Sequence, residues 1–210
     1  MDKITLIKET FNEINNITNG DFVTMRNFDD IPYDSSLKKD IDVFIPRQHV
    51  YTLAEKLISF GYKIIQDQLQ YMYGAEPHVH FEHHELDVHF DVVTGLYYRS
   101  ANDLNLFVNI SDELSNSMFN NRKQVNEIWV YEPSPEDELV HLCCHSVFDK
   151  RKTKPEYSKR INKLFEVSDE DRVKYLLDIA FHKVSEPILE ALKNKETADL
   201  FQNYISFSNY

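Results

Sequence analysis

The segment KKDIDVFIP, residues 38–46, alternates acidic and apolar side chains before a proline. Successive side chains of a strand point to opposite faces. Asp40 and Asp42 therefore share one face, and Ile41 and Val43 turn toward a core. Two carboxylates side by side repel unless a cation or solvent lies between them. Hard oxygen donors of this kind suit Mg²⁺, which completes its octahedron with phosphate oxygens and water. An isolated pair of this type also reads as a solvated strand face. A second segment, ELDVHFDVV at residues 85–93, changes the balance. Read as one strand, it puts Asp87, His89 and Asp91 on one face and Leu86, Val88, Phe90 and Val92 on the other. Lying beside DIDVFI, it adds a third carboxylate to the first two. Such a constellation suits two-metal phosphoryl or nucleotidyl transfer.

Outward from this centre, Ile4, Ile7, Phe11 and Ile14 recur at helical spacing, and Asn19-Gly20 ends that helix. DFVTMRNF (21–28) is rich in β-formers and predicts a strand. Val50, Leu53, Ala54, Leu57 and Ile58 predict a helix from His49 to Phe60, with Gly61 as its C-terminal cap. YKIIQDQLQYMY (62–73) and HVHFEHH (78–84) predict further strands. Past Pro133 the period changes from 2 to 3.6. Ser134, Pro135 and Asp137 form a helix start. Apolar stripes then follow at Leu139–Val147, at Ile161, Leu164 and Phe165, and at Val173–Val184. Ser168 with Asp171 is the expected start of the third of these helices, and Pro187 opens a fourth. The expected class is α+β: a mixed-sheet core over residues 1–132, then a helical domain over 133–210.

Net charge is −12, from 35 acidic and 23 basic residues. That balance disfavours a long nucleic-acid partner, because phosphate neutralisation supplies most of such affinity. Four glycines leave no Gly-rich phosphate loop. No apolar run is long enough for a membrane helix, and the N-terminal residues lack a signal-peptide pattern. Cys143 and Cys144 are adjacent and describe no disulfide framework. The expected setting is cytoplasmic.

FVTMRNF (22–28), KKDIDVFIPRQHV (38–50) and LAEKLISFGYKI (53–64), followed by a distal acid, resemble the DNA polymerase β-like nucleotidyltransferase superfamily. The likeness is to small bacterial members with a Met-Arg or Leu-Arg strand ahead of the D-x-D. Their later Leu-Asp-x-His strand matches Leu86-Asp87-Val88-His89. The resemblance therefore implies Asp40, Asp42 and Asp87 as catalytic metal ligands, in preference to Asp91. PSPEDELVHLCCHSVFDK (133–150) and YSKRINKLF (157–165) resemble the helical region of those proteins, where basic residues approach the nucleotide. The matching positions are Lys150, Lys159 and Arg160. The superfamily's Gly-Ser, about a dozen residues before the D-x-D, is replaced here by Arg26-Asn27. Arg26 is suited to hold phosphate bidentately in its place. The resemblance implies Mg²⁺ or Mn²⁺ as cofactor, an NTP substrate, and an acceptor that is small rather than a long nucleic acid.

Five histidines, His78, His80, His83, His84 and His89, crowd one stretch. His78-Val79-His80 with Glu85 also fits the metal motif of cupins, although 70 or so helical residues do not fit a closed barrel. His89 differs from its neighbours in lying between candidate acids. His141 and His145 sit one helical turn apart, but Leu142 stands where a zinc protease carries its glutamate. That pair reads as structural. Two alternatives to an enzyme remain: a non-catalytic nucleotidyltransferase-fold binding protein, and a His-rich metalloprotein of cupin type.

Overall fold

A computed structural model describes residues 2–26, 31, 40–67, 78–99, 107–125 and 130–208. In chain order it has α1 (Lys3–Thr18), β1 (Val23–Arg26), β2 (Ile41–Phe44), α2 (Val50–Ser59), β3 (Lys63–Asp67), β4 (His78–His83) and β5 (Val88–Val93). Then come β6 (Tyr97–Arg99), β7 (Phe107–Asn109), α3 (Asp112–Asn120), β8 (Lys123–Val125) and β9 (Val130–Glu132). The remainder is helical: α4 (Pro135–Cys144), α5 (Pro155–Val167), α6 (Glu170–Phe181), α7 (Ser185–Lys193) and α8 (Leu200–Ser208). The class is α+β, as the patterning predicts. The chain separates into two compact units, residues 1–95 with 119–133, and residues 96–118 with 134–210.

In the first unit, β1-β2-β5-β4-β3 form one five-stranded mixed sheet. Only the β2–β5 pair is parallel among these neighbours; the other three pairs are antiparallel. Among the described residues β1 and β3 are its outer strands and do not pair with each other, so the sheet is not the closed barrel that a cupin requires. Helices α1 and α2 supply Leu6, Ile7, Phe11, Ile14, Val50, Leu53 and Leu57 to the core. The sheet answers with Ile41, Val43, Val79, Phe81, Val88, Phe90 and Val92. Phe90 meets Phe11 and Tyr62 edge-on, with ring centroids 5.6 and 5.9 Å apart. The Tyr62 and Thr10 hydroxyls are 3.0 Å apart and satisfy each other inside this core, so two polar groups are buried without an unmet hydrogen bond. Alternation sends every second residue of β2, β4 and β5 to the other face.

Helix ends follow local chemistry. Asp2 caps α1 by accepting from Thr5 N–H, and Asn19 closes it in the left-handed region. Ser134 accepts from Asp137 N–H at 3.2 Å, with Pro135 beside it. At α6 the sequence expectation needs correcting. Asp169, not Ser168, caps that helix through Arg172 N–H at 2.8 Å. The Ser168 hydroxyl instead donates to the Leu164 carbonyl at the end of α5. The strand expected over residues 62–73 is seen as β3 up to Asp67, and its remainder lies outside the described residues.

In the second unit, Asp137 is buried and accepts from the Ser117 and Ser134 hydroxyls, at 2.5 and 2.6 Å, and from Arg172 at 3.1 Å. Tyr98 is buried, its hydroxyl 2.7 Å from His141 Nδ1. His145 Nδ1 lies 2.8 Å from Asp149 Oδ2, and Asp149 also accepts from Arg99 N–H at 2.8 Å. His141 and His145 thus serve as buried hydrogen-bonded rings, stacked at 6.1 Å. No helix is long and apolar enough to cross a membrane among the described residues.

Candidate functional site

The polar face of the five-stranded sheet gathers its chemistry in rows. Asp42 on β2 pairs with Asp91 on β5, and Asp91 pairs with His80 on β4. One step back, His89 pairs with Glu82. Asp40 precedes the first matched pair, Ile41 with Phe90, so the same register puts it level with His89. On the far side of β2, a bulge between Thr24 and Arg26 brings the Arg26 backbone opposite Asp42. Bulges of this kind re-aim side chains next to active sites. Ile41, Val43 and Phe90, between these polar residues, are fully buried on the helix-covered side. The site is therefore the reverse of the core strands.

Asp42 is 3% exposed, whereas the Asp40 side chain is 49% exposed at the mouth of the same face. Asp40 Oδ1 lies 4.0 Å from His80 Nε2 and 4.0 Å from His89 Nδ1. One donor atom from each of Asp40, His80 and His89 lies within 4.8 Å of the others. Among the described residues this is the one group of three or more such side chains placed to share a metal ion. A hydrogen bond joins His78 Nε2 and Asp91 Oδ1.

Asp87 departs from the sequence expectation. It is the last residue of the turn after β4, with φ 50°, and β5 begins one residue later at Val88. Leu86 and Asp87 therefore do not continue the strand face that carries His89 and Asp91. Asp87 Oδ1 lies 3.2 Å from His89 Nε2, and its backbone carbonyl accepts from Lys3 Nζ at 2.7 Å. Asp91, which the resemblance passes over in favour of Asp87, is the cross-strand neighbour of Asp42 in the sheet register. The sequence offers His80 only within the cupin-type pattern with His78 and Glu85, not as a neighbour of Asp40. The available signal was the period-2 pattern of β4, where Val79 and Phe81 are buried and His78, His80 and Glu82 face the other way.

Asn27 and the Arg26 side chain lie outside what is described. Lys150 and Lys159 belong to the second unit and are exposed. Arg160 donates through Nε and Nη2 to both oxygens of buried Glu138, at 2.7 and 2.8 Å. A phosphate at Arg160 has to compete with that bidentate pair.

The model of an uncharacterised nucleotidyltransferase family matches residues 36–194. The chain belongs to that family. The match spans the D-x-D strand and helices α4 to α7 and so takes in parts of both compact units, while β1 lies outside it. Comparison with curated proteins gives no match. Membership confers a nucleotidyltransferase function with a nucleotide substrate. The family fold commonly uses a divalent metal, and the carboxylate and imidazole cluster is a possible site for one.

Proposed function

We propose that the protein moves an NMP group from an NTP to a hydroxyl on a small acceptor, releasing pyrophosphate, with Mg²⁺ or Mn²⁺ as cofactor. The observation that carries this reading is the row of Asp42 and Asp91 on parallel neighbouring strands, with Asp40 at the head of the same face. Hard carboxylate oxygens side by side match what Mg²⁺ coordinates. Asp40 and Asp42 are the cation ligands in this reading. Asp91 takes the place of the third acid that the resemblance gives to Asp87, because Asp91 lies on β5 beside Asp42 whereas Asp87 stands in the turn before that strand. A cation held by these carboxylates would supply charge neutralisation at the phosphate oxygens and make the α-phosphorus more electrophilic. Transfer forms a bond from acceptor oxygen to the α-phosphorus, breaks the bond to the pyrophosphate oxygen, and releases the hydroxyl proton.

In this reading Arg26, whose backbone faces Asp42, and Asn27, the next residue in sequence, replace the Gly-Ser with which the superfamily holds the triphosphate. Lys150 and Lys159 are the second unit's exposed candidates for phosphate binding. Asp40→Asn is expected to abolish Mg²⁺-dependent NTP binding in calorimetry while leaving the fold intact, since it removes one of the charges that hold the cation. Unchanged metal-dependent binding in that folded variant contradicts the assignment. Arg26-Asn27 in place of Gly-Ser favours a second reading, a relative that binds nucleotide without transferring it. Binding without turnover across all four NTPs distinguishes the two.

A further inference from the structure

Two features of the candidate site are not explained by a site made only of carboxylates. Asp40 turns one oxygen toward two imidazole nitrogens, and His89 is held from behind by Asp87. An ionised carboxylate only accepts hydrogen bonds, so the His89 nitrogen facing Asp87 carries the proton. That nitrogen is Nε2. In the neutral ring, Nδ1 is then left with its lone pair toward Asp40 and His80. His80 presents Nε2 to the same Asp40 oxygen, and with its proton on Nδ1 the three groups are acceptors that a cation reconciles. A carboxylate behind a histidine also fixes tautomer and ring orientation at metal sites.

We propose that Asp40, His80 and His89 form a site for an imidazole-preferring divalent ion such as Zn²⁺, with Asp87 as the residue that positions His89. The proposal rests on the site geometry given above and not on nucleotidyl transfer, and Asp40, a ligand of the transfer cation in the function proposed above, is common to both sites. Imidazole nitrogen suits zinc, cobalt and nickel, whereas Mg²⁺ selects oxygen. Three protein ligands leave a further position for water or substrate, the pattern of zinc sites that keep an open coordination place. Nitrogen and oxygen donors on a tetrahedral zinc stand about 3.3 Å apart, from bond lengths of about 2.0 Å. The two 4.0 Å separations therefore close by less than one ångström when the ion binds. β4 and β5 set the imidazoles on adjacent strands whose buried neighbours Val79, Phe81, Val88 and Phe90 are packed in the core. The turn that carries Asp87 adopts φ 50°, a conformation that Asp and Asn tolerate better than most residues.

The test is a Zn²⁺ titration of the full ¹⁵N-labelled chain without nucleotide, read by long-range histidine ¹H–¹⁵N correlation. The expected result is one ion per chain, metal-bound shifts at His80 Nε2 and His89 Nδ1, and a retained proton on His89 Nε2. Mg²⁺ at the same concentration produces none of these shifts. His80→Ala lowers zinc affinity by more than about 10-fold, and Asp87→Asn, which suits the backbone, by about 10-fold. His84→Ala, an exposed histidine hydrogen-bonded to Glu82, leaves affinity unchanged. Absence of the two nitrogen shifts in the wild-type chain overturns the proposal, as does ligation of His89 through Nε2 or an equal loss in His84→Ala. Failure to transfer NMP with these shifts present counts against the function proposed above and leaves the zinc site standing. Transfer with the shifts absent does the reverse.

Discussion

Asp42 and Asp87 occupy similar sequence settings, each an aspartate between two apolar residues, yet one is 3% exposed in a strand and the other stands in a turn. Alternation identifies the face of Asp42 because Ile41 and Val43 are both needed by the core. At Asp87 the same alternation runs on past the strand's true start, since Leu86 also packs against that core from the turn. The cue that alternation hides is the tolerance of Asp for the left-handed region, which ends the turn at Asp87. His80 was legible as part of a histidine pattern, but its nearness to Asp40 is a long-range fact of sheet order. The cysteines show the converse, a residue type whose local setting was readable. They fall on the apolar stripe of α4 and are buried as free thiols. Burial pushes the Cys143 thiol up to about 12, and Cys144 well above its usual value, first by burial and then by the neighbouring Cys143. Both remain protonated at pH 8, and the thiolate is the reactive form. Iodoacetamide at pH 8 is therefore expected to label neither until denaturant unfolds the chain. Stoichiometric labelling of the native protein contradicts this placement.

Among elements, the passage from α2 to β3 shows how a local signal fixes long-range geometry. Gly61 adopts φ +96°, its N–H bonds to the Ile58 carbonyl, and Tyr62 N–H returns to Leu57. These bonds satisfy carbonyls that the helix end leaves open. The turn delivers Tyr62 into the core and starts edge strand β3. A Cβ at Gly61 lies 3.1 Å from His83 Nε2 on the paired strand β4. Gly61→Ala combines that close approach with an unfavourable backbone angle, and is expected to cost about 1–2 kcal/mol. The measurement is the shift of the urea midpoint at constant slope; an unchanged or raised midpoint contradicts the account. Glycine after an apolar stripe made this end readable. The start of α6 was misread by one residue because Ser168 and Asp169 are both capping types. Their roles are decided by a neighbour: the last turn of α5 takes the Ser168 hydroxyl.

For the whole molecule, residues 96–118 group with the helical unit rather than with the sheet that precedes them in the chain. That segment joins the helices through Tyr98 to His141, the Arg99 N–H to Asp149, and Ser117 to Asp137, contacts that no local pattern announces. Net charge of −12 is a property of the entire chain and bears on partners. It repels polyanions and offers no counterion-release gain without a concentrated basic face. Fluorescence anisotropy with duplex DNA and with bulk transfer RNA at moderate salt is expected to show no salt-sensitive micromolar binding. Such binding, or label moved to an RNA 3′ end, contradicts the proposal of a small acceptor. The central claim, a metal-dependent transfer site built on Asp40 and Asp42, is tested most directly by turnover. Wild-type protein and Asp42→Asn are incubated with each labelled NTP, Mg²⁺ or Mn²⁺ and a metabolite extract, and mass spectrometry follows pyrophosphate and any product carrying an added NMP. The account predicts both species with one or more NTPs for the wild type, and neither for a folded Asp42→Asn. Turnover that persists in Asp42→Asn contradicts it, as does a wild type that yields no such product with any NTP.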